Sequence, residues 1–315
     1  MKISVIIPTY NRVDYLIRTV TSVLSQEFPA DEIIIIDDGS DDDTERRVND
    51  LFGARVRYFK QSNSGQMVAR YNGIGMANND WIALCDSDDL WSPKHLSDFV
   101  ATVERASECD VYFSNFSYID AVGVESNESK FDEAPEGWLE RIVEREVLPG
   151  RLAVCKNDFY KDLLEFQPVF QSSFIFSKAL YENIGGLATS LGNINSEDAH
   201  LMRRLVAYGR VGFSFGKNVK IRKHAGNFSD SYLKNCEGRL EILQRLCSEK
   251  EIPEEFIPAT EMEIVSGKRH LFSLYVWNNL FREACVIYRE TPKNAFIFTE
   301  HIKYIYSCLR CFFSK

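Results

Sequence analysis

Across the first 120 residues, short apolar runs alternate with stretches that carry one apolar face at helical spacing. The expected strands are 3–7, 32–36, 56–59, 81–85 and 111–113, and the expected helices are 14–25, 66–77 and 93–106. Strands that are apolar throughout and separated by helices indicate a parallel sheet covered on both faces. We therefore predict an α/β fold with a mostly parallel central sheet flanked by helices.

The pattern is weaker in the rest of the chain. We expect helices near 138–147, 157–164 and 197–208, a helix that ends at Gly185–Gly186, a strand at 174–176, and a strand or hairpin at 211–222. From residue 231 to the end the pattern is helical, with prolines at 253, 258 and 292 as breaks. We therefore expect a domain at 1–230 and a helical C-terminal region at 231–315.

The charge and the cysteines narrow the class of protein. The 315-residue chain has a net charge of −9, which makes a nucleic-acid partner unlikely on electrostatic grounds. Its eight cysteines are scattered, which indicates reduced residues in a cytoplasmic protein. The pair Cys308-x-x-Cys311 has no second ligand pair nearby, so we do not expect a metal there. No signal peptide and no apolar run long enough to span a bilayer is visible.

Three polar clusters follow expected strands: Pro8–Asn11, Asp37–Ser40 and Asp86–Asp89. In an open parallel sheet, ligands bind at the carboxyl ends of the strands. Aspartate also suits turns and helix N-caps, but three clusters at one edge favour a ligand site. The first turn lacks the glycines of a dinucleotide-binding loop, and no P-loop is present. If the ligand carries phosphate groups, other residues must therefore neutralise their charge.

The sequence Asp86-Ser87-Asp88 offers a means of neutralising phosphate. Carboxylates two residues apart in an extended segment point the same way. They suit Mn²⁺ or Mg²⁺, which prefer oxygen ligands and bridge carboxylates to substrate phosphates. A metal at this position would stabilise the charge on a diphosphate leaving group.

Five segments occur in order and at characteristic spacing: Ser4–Arg12, Asp37–Thr44, Asn63–Gly65, Ala69–Ile74 and Asp80–Pro93. In these segments the chain resembles the large family of inverting glycosyltransferases with the GT-A fold, family 2. The resemblance is dense over residues 3–95 and patchier to about 230. It implies a nucleotide-binding half at 1–120 and an acceptor-binding half at 121–230.

The resemblance also implies which residues bind the donor. Thr9 and Asp38 would contact the nucleotide base, with Tyr10 nearby. Arg70 would reach the base or a phosphate, and Asp86 would bind the ribose. The family usually has asparagine directly after this arginine, whereas residue 71 here is tyrosine.

For the metal, the resemblance implies Asp88, with His224 completing the shell after the last strand of the domain. A lone histidine is otherwise more often structural. Ser229, with Arg222 and Lys223, lies in the same segment and is expected near the diphosphate.

For catalysis, the resemblance implies that Asp198 is the general base. Glu197 would orient Asp198 or contact the acceptor. Acidic residues in the first turn of a helix also complement its dipole, so the spacing alone does not require a catalytic role. A sugar hydroxyl is a poor nucleophile, and a carboxylate that accepts its proton assists attack at the anomeric carbon.

We therefore expect a metal-dependent, inverting transferase that moves a sugar from a nucleotide-diphosphate donor, UDP-linked, to a glycan or lipid-linked glycan. Surface polysaccharide biosynthesis is the expected setting. One alternative is a nucleotidyltransferase, which would need a basic, glycine-rich loop that Thr9–Arg12 does not provide. The other is a non-catalytic nucleotide- or glycan-binding relative, against which Asp86, Asp88 and Asp198 argue.

The C-terminal segment Lys293–Lys315 is rich in aromatic residues and carries Lys303, Arg310 and Lys315 among them. Peripheral contact with a membrane, next to a lipid-linked acceptor, is one of two interpretations of this segment. The alternative is that these residues cover the core or form a dimer contact. The expected location is the cytoplasm, at the inner face of the membrane.

Overall fold

The computed structural model describes residues 1–188, 197–223 and 231–313. The strands are β1 Ile3–Thr9, β2 Glu32–Asp37, β3 Arg57–Lys60, β4 Trp81–Leu84, β5 Leu90–Trp91, β6 Val111–Ile119, β7 Glu125–Ser129, β8 Val143–Leu148, β9 Leu152–Cys155, β10 Phe174–Ser177 and β11 Val211–Arg222. The helices are α1 Val13–Leu24, α2 Thr44–Phe52, α3 Gln66–Met76, α4 His95–Arg105, α5 Trp138–Ile142, α6 Phe159–Glu165, α7 Lys178–Asn183, α8 Glu197–Tyr208, α9 Tyr232–Ser248, α10 Ile257–Trp277, α11 Phe281–Arg289 and α12 Phe298–Phe313.

All these strands form one sheet in the order β3-β2-β1-β4-β10-β6-β11-β9-β8, with β5 beside β11 and β7 beside β6. The first four strands of this order pair in parallel, as the sequence predicts. Strand β10 runs antiparallel to both β4 and β6, while β6 and β11 are parallel. The sheet is therefore mixed, with its parallel part in the first half of the chain.

The parallel part is held by apolar residues on both of its faces. Every residue of β1 is buried, and α1 covers one face with Leu16, Val20 and Val23. On the other face, α3 lies so close that a Cβ atom at Gly73 would clash with the side chain of Ile6. This packing fixes the positions at which β1, β2 and β4 end.

Several elements differ from the sequence prediction, and strands β5, β7 and β9 were not expected. Helix α2 was not expected, because only Thr44, Val48 and Phe52 of its nine residues are buried. The helix expected at 138–147 ends at Ile142, and the chain continues as the edge strand β8, which pairs with β9. Residues 211–222 form one strand, which is one of the two forms expected there.

The chain divides into two compact units. The first comprises Met1–Asn193 and Leu201–Asn227, and the second comprises Ile194–His200 and Phe228–Lys315. The second unit has its own apolar core, which includes Leu271, Phe272, Ile287, Tyr288 and Phe296. The described residues after 231 are helical, as the pattern indicates, whereas the domain bounds 1–230 and 231–315 and the functional halves 1–120 and 121–230 stay predictions. None of the helices in the described residues is long and apolar enough to cross a membrane.

Candidate active site

Thr9 is the last residue of β1 and pairs in register with Asp37, the last residue of β2. Its side chain is buried, and no described residue hydrogen-bonds to its Oγ1. Buried hydroxyls almost always have a hydrogen-bond partner, since an unsatisfied one costs about 1–3 kcal/mol. The orphaned Oγ1 therefore marks a place where a bound ligand can supply the missing partner.

Asp38 follows Asp37 and holds the loop that leads into α3. Its Oδ1 accepts hydrogen bonds from the backbone N–H of Ser64 and from Nε2 of Gln61, both at 2.8 Å. Its Oδ2 accepts one from the backbone N–H of Gly65 at 2.8 Å. A carboxylate has about four lone-pair positions, so these contacts leave room for one further donor.

The two loops at this edge are also joined through Asn11, which follows the exposed Tyr10. The backbone N–H of Asn11 donates to Oγ of Ser40 at 2.9 Å, and Oδ1 of Asn11 accepts from the backbone N–H of Asp41 at 2.8 Å. Asn11 has φ of +49°, a left-handed conformation that asparagine tolerates better than most residues. Tyr10 is thereby held at the surface, 42% exposed.

Asp86 begins the acidic loop, residues 86–89, that follows β4. Its Oδ1 accepts a hydrogen bond from Nη2 of Arg70 at 2.7 Å. The side chain of Arg70 is 4% exposed and that of Asp86 is 23% exposed. Arg70 thus contacts the acidic loop directly. Of the two side chains in this ion pair, only the Asp86 carboxylate is appreciably exposed to solvent.

Asp88 forms an ion pair with Arg12, whose Nη1 lies 2.8 Å from Oδ2 of Asp88. The arginine follows β1 and the aspartate follows β4, so the pair ties two strand ends together. The resemblance implied no role for Arg12, although Arg12 is the last residue of the first segment that resembles the family.

Asp89 is the buried anchor of the acidic loop. Its carboxylate accepts from Oγ of Ser172 at 2.5 Å and from the backbone N–H of Arg222 at 2.9 Å. Burial, and then the charges of Asp88 and Asp86, hold the pKa of Asp89 well above its usual range. The motif places Asp89 in the polar cluster but does not reveal its anchoring role, because Ser172 and Arg222 lie far from it in the chain.

Arg222 is buried and fastens the acidic loop to the end of β6. Its Nε donates to the carbonyl of Asp88 at 2.9 Å, and its Nη1 donates to the carbonyl of Asp120 at 2.8 Å. The guanidinium also lies over the ring of Tyr15, 4.8 Å from its centroid. These contacts give Arg222 a structural role in the acidic loop, and its expected place near the diphosphate stays a prediction.

The expected metal ligands are only partly described. Within residues 1–188, 197–223 and 231–313, no three or more histidine, cysteine or acidic side chains are arranged to hold a metal. Asp88 still suits Mg²⁺ or Mn²⁺, because such ions are commonly held by one or two carboxylates together with waters and substrate phosphates. His224 and Ser229 lie outside the described residues.

Asp198 lies in the first turn of α8, in the segment Ile194–His200 of the second unit. Its Oδ1 accepts a hydrogen bond from the backbone N–H of Ala199 at 2.9 Å. Two residues on, the buried His200 has Nε2 2.6 Å from Oε2 of Glu251 in the same unit. This contact anchors the turn that carries Asp198; the side chain of Glu197 is not among those described.

A family model described as glycosyl transferase family 2 matches residues 4–162, slightly more than half of the chain. The match includes the loops after β1, β2 and β4 described above. It stops before α8, so the placement of Asp198 lies outside the matched region.

Two relatives illustrate the range of similar sequences. A glycosyltransferase of Rickettsia felis, named as uncharacterized, is 41% identical over 122 residues, which cover 37% of this chain and 19% of that protein. A Bacillus subtilis glycosyltransferase, TuaG, is named provisionally for teichuronic acid biosynthesis. It is 35% identical over 137 residues, which cover 42% of this chain and 53% of TuaG. The matches thus span about a fifth to a half of these relatives.

Residues 1–349 of S. aureus TarS, solved in complex with UDP-GlcNAc, resemble this chain in structure with a TM-score of 0.66. The match covers 98% of this chain and 89% of that one at 16% sequence identity, which shows a shared fold. The expected GT-A fold, with its helical extension, is confirmed. With the family model and the loops it matches, the chain belongs to glycosyl transferase family 2.

Proposed function

We propose that this chain transfers a sugar from a UDP-linked donor to a hydroxyl of a glycan or lipid-linked glycan, with inversion at the anomeric carbon. The setting we propose is surface polysaccharide biosynthesis. The name of TuaG supports this setting, and the complexes of TarS with UDP-GlcNAc and UDP support the donor.

The observation that carries the proposal is the set of polar groups at the ends of β1, β2 and β4. The orphaned Oγ1 of Thr9 and the remaining acceptor position of Asp38 are suited to hydrogen-bond a nucleotide base. Tyr10 is exposed beside them and available to contact the base. Asp86, held by Arg70, presents a carboxylate for the ribose.

In this proposal, Asp88 and His224 hold Mn²⁺ or Mg²⁺, with Ser229 near the diphosphate. When bound, the metal supplies positive charge that stabilises the nucleoside diphosphate as it leaves. Arg12, now 2.8 Å from the carboxylate of Asp88, lies close enough to add a second positive charge beside that group.

Asp198 is the proposed general base, and Glu197 orients it or contacts the acceptor. Removal of the proton from the acceptor hydroxyl increases its nucleophilicity during attack at the anomeric carbon. A single displacement from the face opposite the leaving diphosphate gives inversion. The hydrogen bond from Ala199 and the His200–Glu251 contact stiffen the turn that carries this carboxylate.

A thermal-shift series tests donor, base and metal together, because a ligand that binds the folded state stabilises it by an amount that rises with its affinity and concentration. We expect UDP and a UDP-sugar to raise the unfolding temperature, more so with Mn²⁺, whereas GDP, CDP and dTDP have smaller effects. The Asp88→Ala variant should lose the Mn²⁺-dependent part of the shift. An equal response to all four nucleotides, or the same Mn²⁺ effect in Asp88→Ala, would contradict the proposal.

A further inference from the structure

Helix α12, in the second unit, has one face that packs against the rest of that unit. Tyr304 stacks on Tyr288 with ring centroids 3.9 Å apart. Glu300 is buried and accepts hydrogen bonds from Nε of Arg269 at 2.9 and 3.0 Å. The orientation of the helix about its own axis is thus fixed by stacking and by an ion pair.

The opposite face of α12 is apolar and largely exposed, and at one margin the ring of Tyr306 packs edge-on against Phe281 of α11. This face carries the five residues of what we term the α12 stripe: Phe298, Ile302, Ile305, Tyr306 and Leu309. Each is at least 50% exposed, and Phe298 is 77% exposed. Their spacing places all five on one side of a helix. A contiguous apolar stripe of this kind marks an interaction surface, whereas single exposed apolar residues do not.

Positive charge borders the stripe. Lys303 and Arg310 are exposed and lie seven residues apart along one flank, where the guanidinium of Arg310 lies 5.5 Å from the centroid of the Phe281 ring. Glu300 is the sole acidic residue in α12 and lies on its packed face, so the described exposed face carries no negative charge. This face differs in sign from the whole chain, whose net charge is −9.

We propose that the α12 stripe docks on the surface of a bilayer that contains anionic phospholipids, with the helix lying in the plane of the interface. Apolar side chains bordered by cations match an acyl-chain boundary covered by negative headgroups. A second copy of the same face would bring Lys303 and Arg310 toward their own counterparts, which disfavours self-association. This inference goes beyond the proposed transfer reaction and does not rest on it.

Co-sedimentation of the full chain with vesicles tests the proposal. We expect binding to vesicles of phosphatidylcholine mixed with phosphatidylglycerol, weaker binding to phosphatidylcholine alone, and loss of binding as salt is raised. Ile305→Glu should lower the partition coefficient about tenfold or more, and Lys303→Glu about fivefold. Met262→Glu is the matched control, because Met262 is 69% exposed in α10 and lies outside the stripe.

Each outcome supports or overturns the docking surface. Absence of binding at low salt, or equal binding by wild type and Ile305→Glu, overturns it. So does a dimer, detected by light scattering, that Ile305→Glu dissociates while vesicles are not bound. Circular dichroism and UDP binding of the variants show that the fold is retained, and Lys303→Glu provides the test if Ile305→Glu fails to fold. Failure of vesicle binding with intact UDP binding would leave the proposed reaction untouched.

Discussion

Arg12 donates a hydrogen bond to the carboxylate of Asp88, the residue proposed to hold the metal, with Nη1 and Oδ2 2.8 Å apart. The Asp88 side chain is 13% exposed and that of Arg12 is 37% exposed, so water screens this pair only in part. A divalent cation that binds Asp88 must share or displace this guanidinium. Under the proposed function, Arg12 would therefore compete with the metal for Asp88 and, once displaced, supply a positive charge beside the diphosphate.

Replacement of Arg12 by alanine should raise the affinity for Mn²⁺ in the absence of donor. We expect an increase of about two- to fivefold, which corresponds to the worth of a partly exposed ion pair. Isothermal titration calorimetry of the protein with Mn²⁺ measures this directly. With UDP present the same variant should bind the nucleotide more weakly, because a cation beside the diphosphate is lost.

Arg46→Ala is the matched control for Arg12→Ala. Arg46 also pairs with an aspartate, Asp43, but on the exposed surface of α2. Its replacement should leave the Mn²⁺ and UDP affinities unchanged. Unchanged or weaker Mn²⁺ binding by Arg12→Ala would show that the arginine does not compete with the metal.

The first half of the fold is predictable because β1, β2 and β4 are mostly apolar and buried and a polar cluster follows each of them, although β3 is less regular. That regularity predicted the parallel strands β1 to β4 and the acidic loop after β4. The direction of β10 was not predictable, since three apolar residues and a serine do not specify which way a strand runs. The edge strand β8 was read as helix, because it pairs only with β9 and its central residues Glu144–Glu146 are exposed.

The long-range side-chain contacts that hold the site together could not be predicted, for a different reason. Arg12 and Asp88 are 76 positions apart, and Arg222 and Asp89 are 133 apart. Such pairings depend on which strands become neighbours, which a single sequence does not state. The motif spacing identified the residues of the acidic loop but gave no indication that Arg222 would be committed to backbone carbonyls.

Replacement of Asp198 by asparagine should abolish transfer and leave donor binding intact. The amide keeps the shape of the side chain but cannot accept the proton of the acceptor hydroxyl. We expect a loss of about 10²- to 10⁴-fold in kcat, the usual contribution of a general base, with the Kd for UDP within error of wild type. Asp158→Asn, at an exposed residue before α6, is the control that should retain activity. Full activity in Asp198→Asn would exclude Asp198 as the base.

Stability should depend on pH through His95, which is fully buried at the start of α4. Burial lowers the pKa of His95 to about 3, although the negative charge of Asp98 acts in the opposite direction and raises it. The unfolded chain binds a proton below about pH 6.5 that the folded chain does not bind. The free energy of unfolding should therefore be greatest above that pH and fall by up to about 1.4 kcal/mol per pH unit below it.

Urea unfolding between pH 5 and 7 measures this slope. A His95→Gln variant should show a shallower slope over the same range, because the group that titrates differently in the two states is gone. His270→Gln, at an exposed histidine of α10, should keep the wild-type slope. Identical slopes in wild type and His95→Gln would assign the pH dependence to other groups.

Two glycines of α3 provide a matched test of how closely this helix approaches the sheet. A Cβ at Gly73 would clash with Cγ2 of Ile6 and lie 3.1 Å from Cγ1 of Ile36, whereas a Cβ at Gly75 would meet nothing within 4 Å. Gly73→Ala should lower the free energy of unfolding by about 1–3 kcal/mol, the usual cost of overpacking. Gly75→Ala should raise it by roughly 0.5 kcal/mol, since alanine favours a helix and restricts the unfolded chain. Urea denaturation of both variants measures the difference, and equal effects would mean that α3 does not contact β1 this closely.

Because α3 also carries Arg70, Gly73→Ala should weaken UDP binding while Gly75→Ala leaves it unchanged.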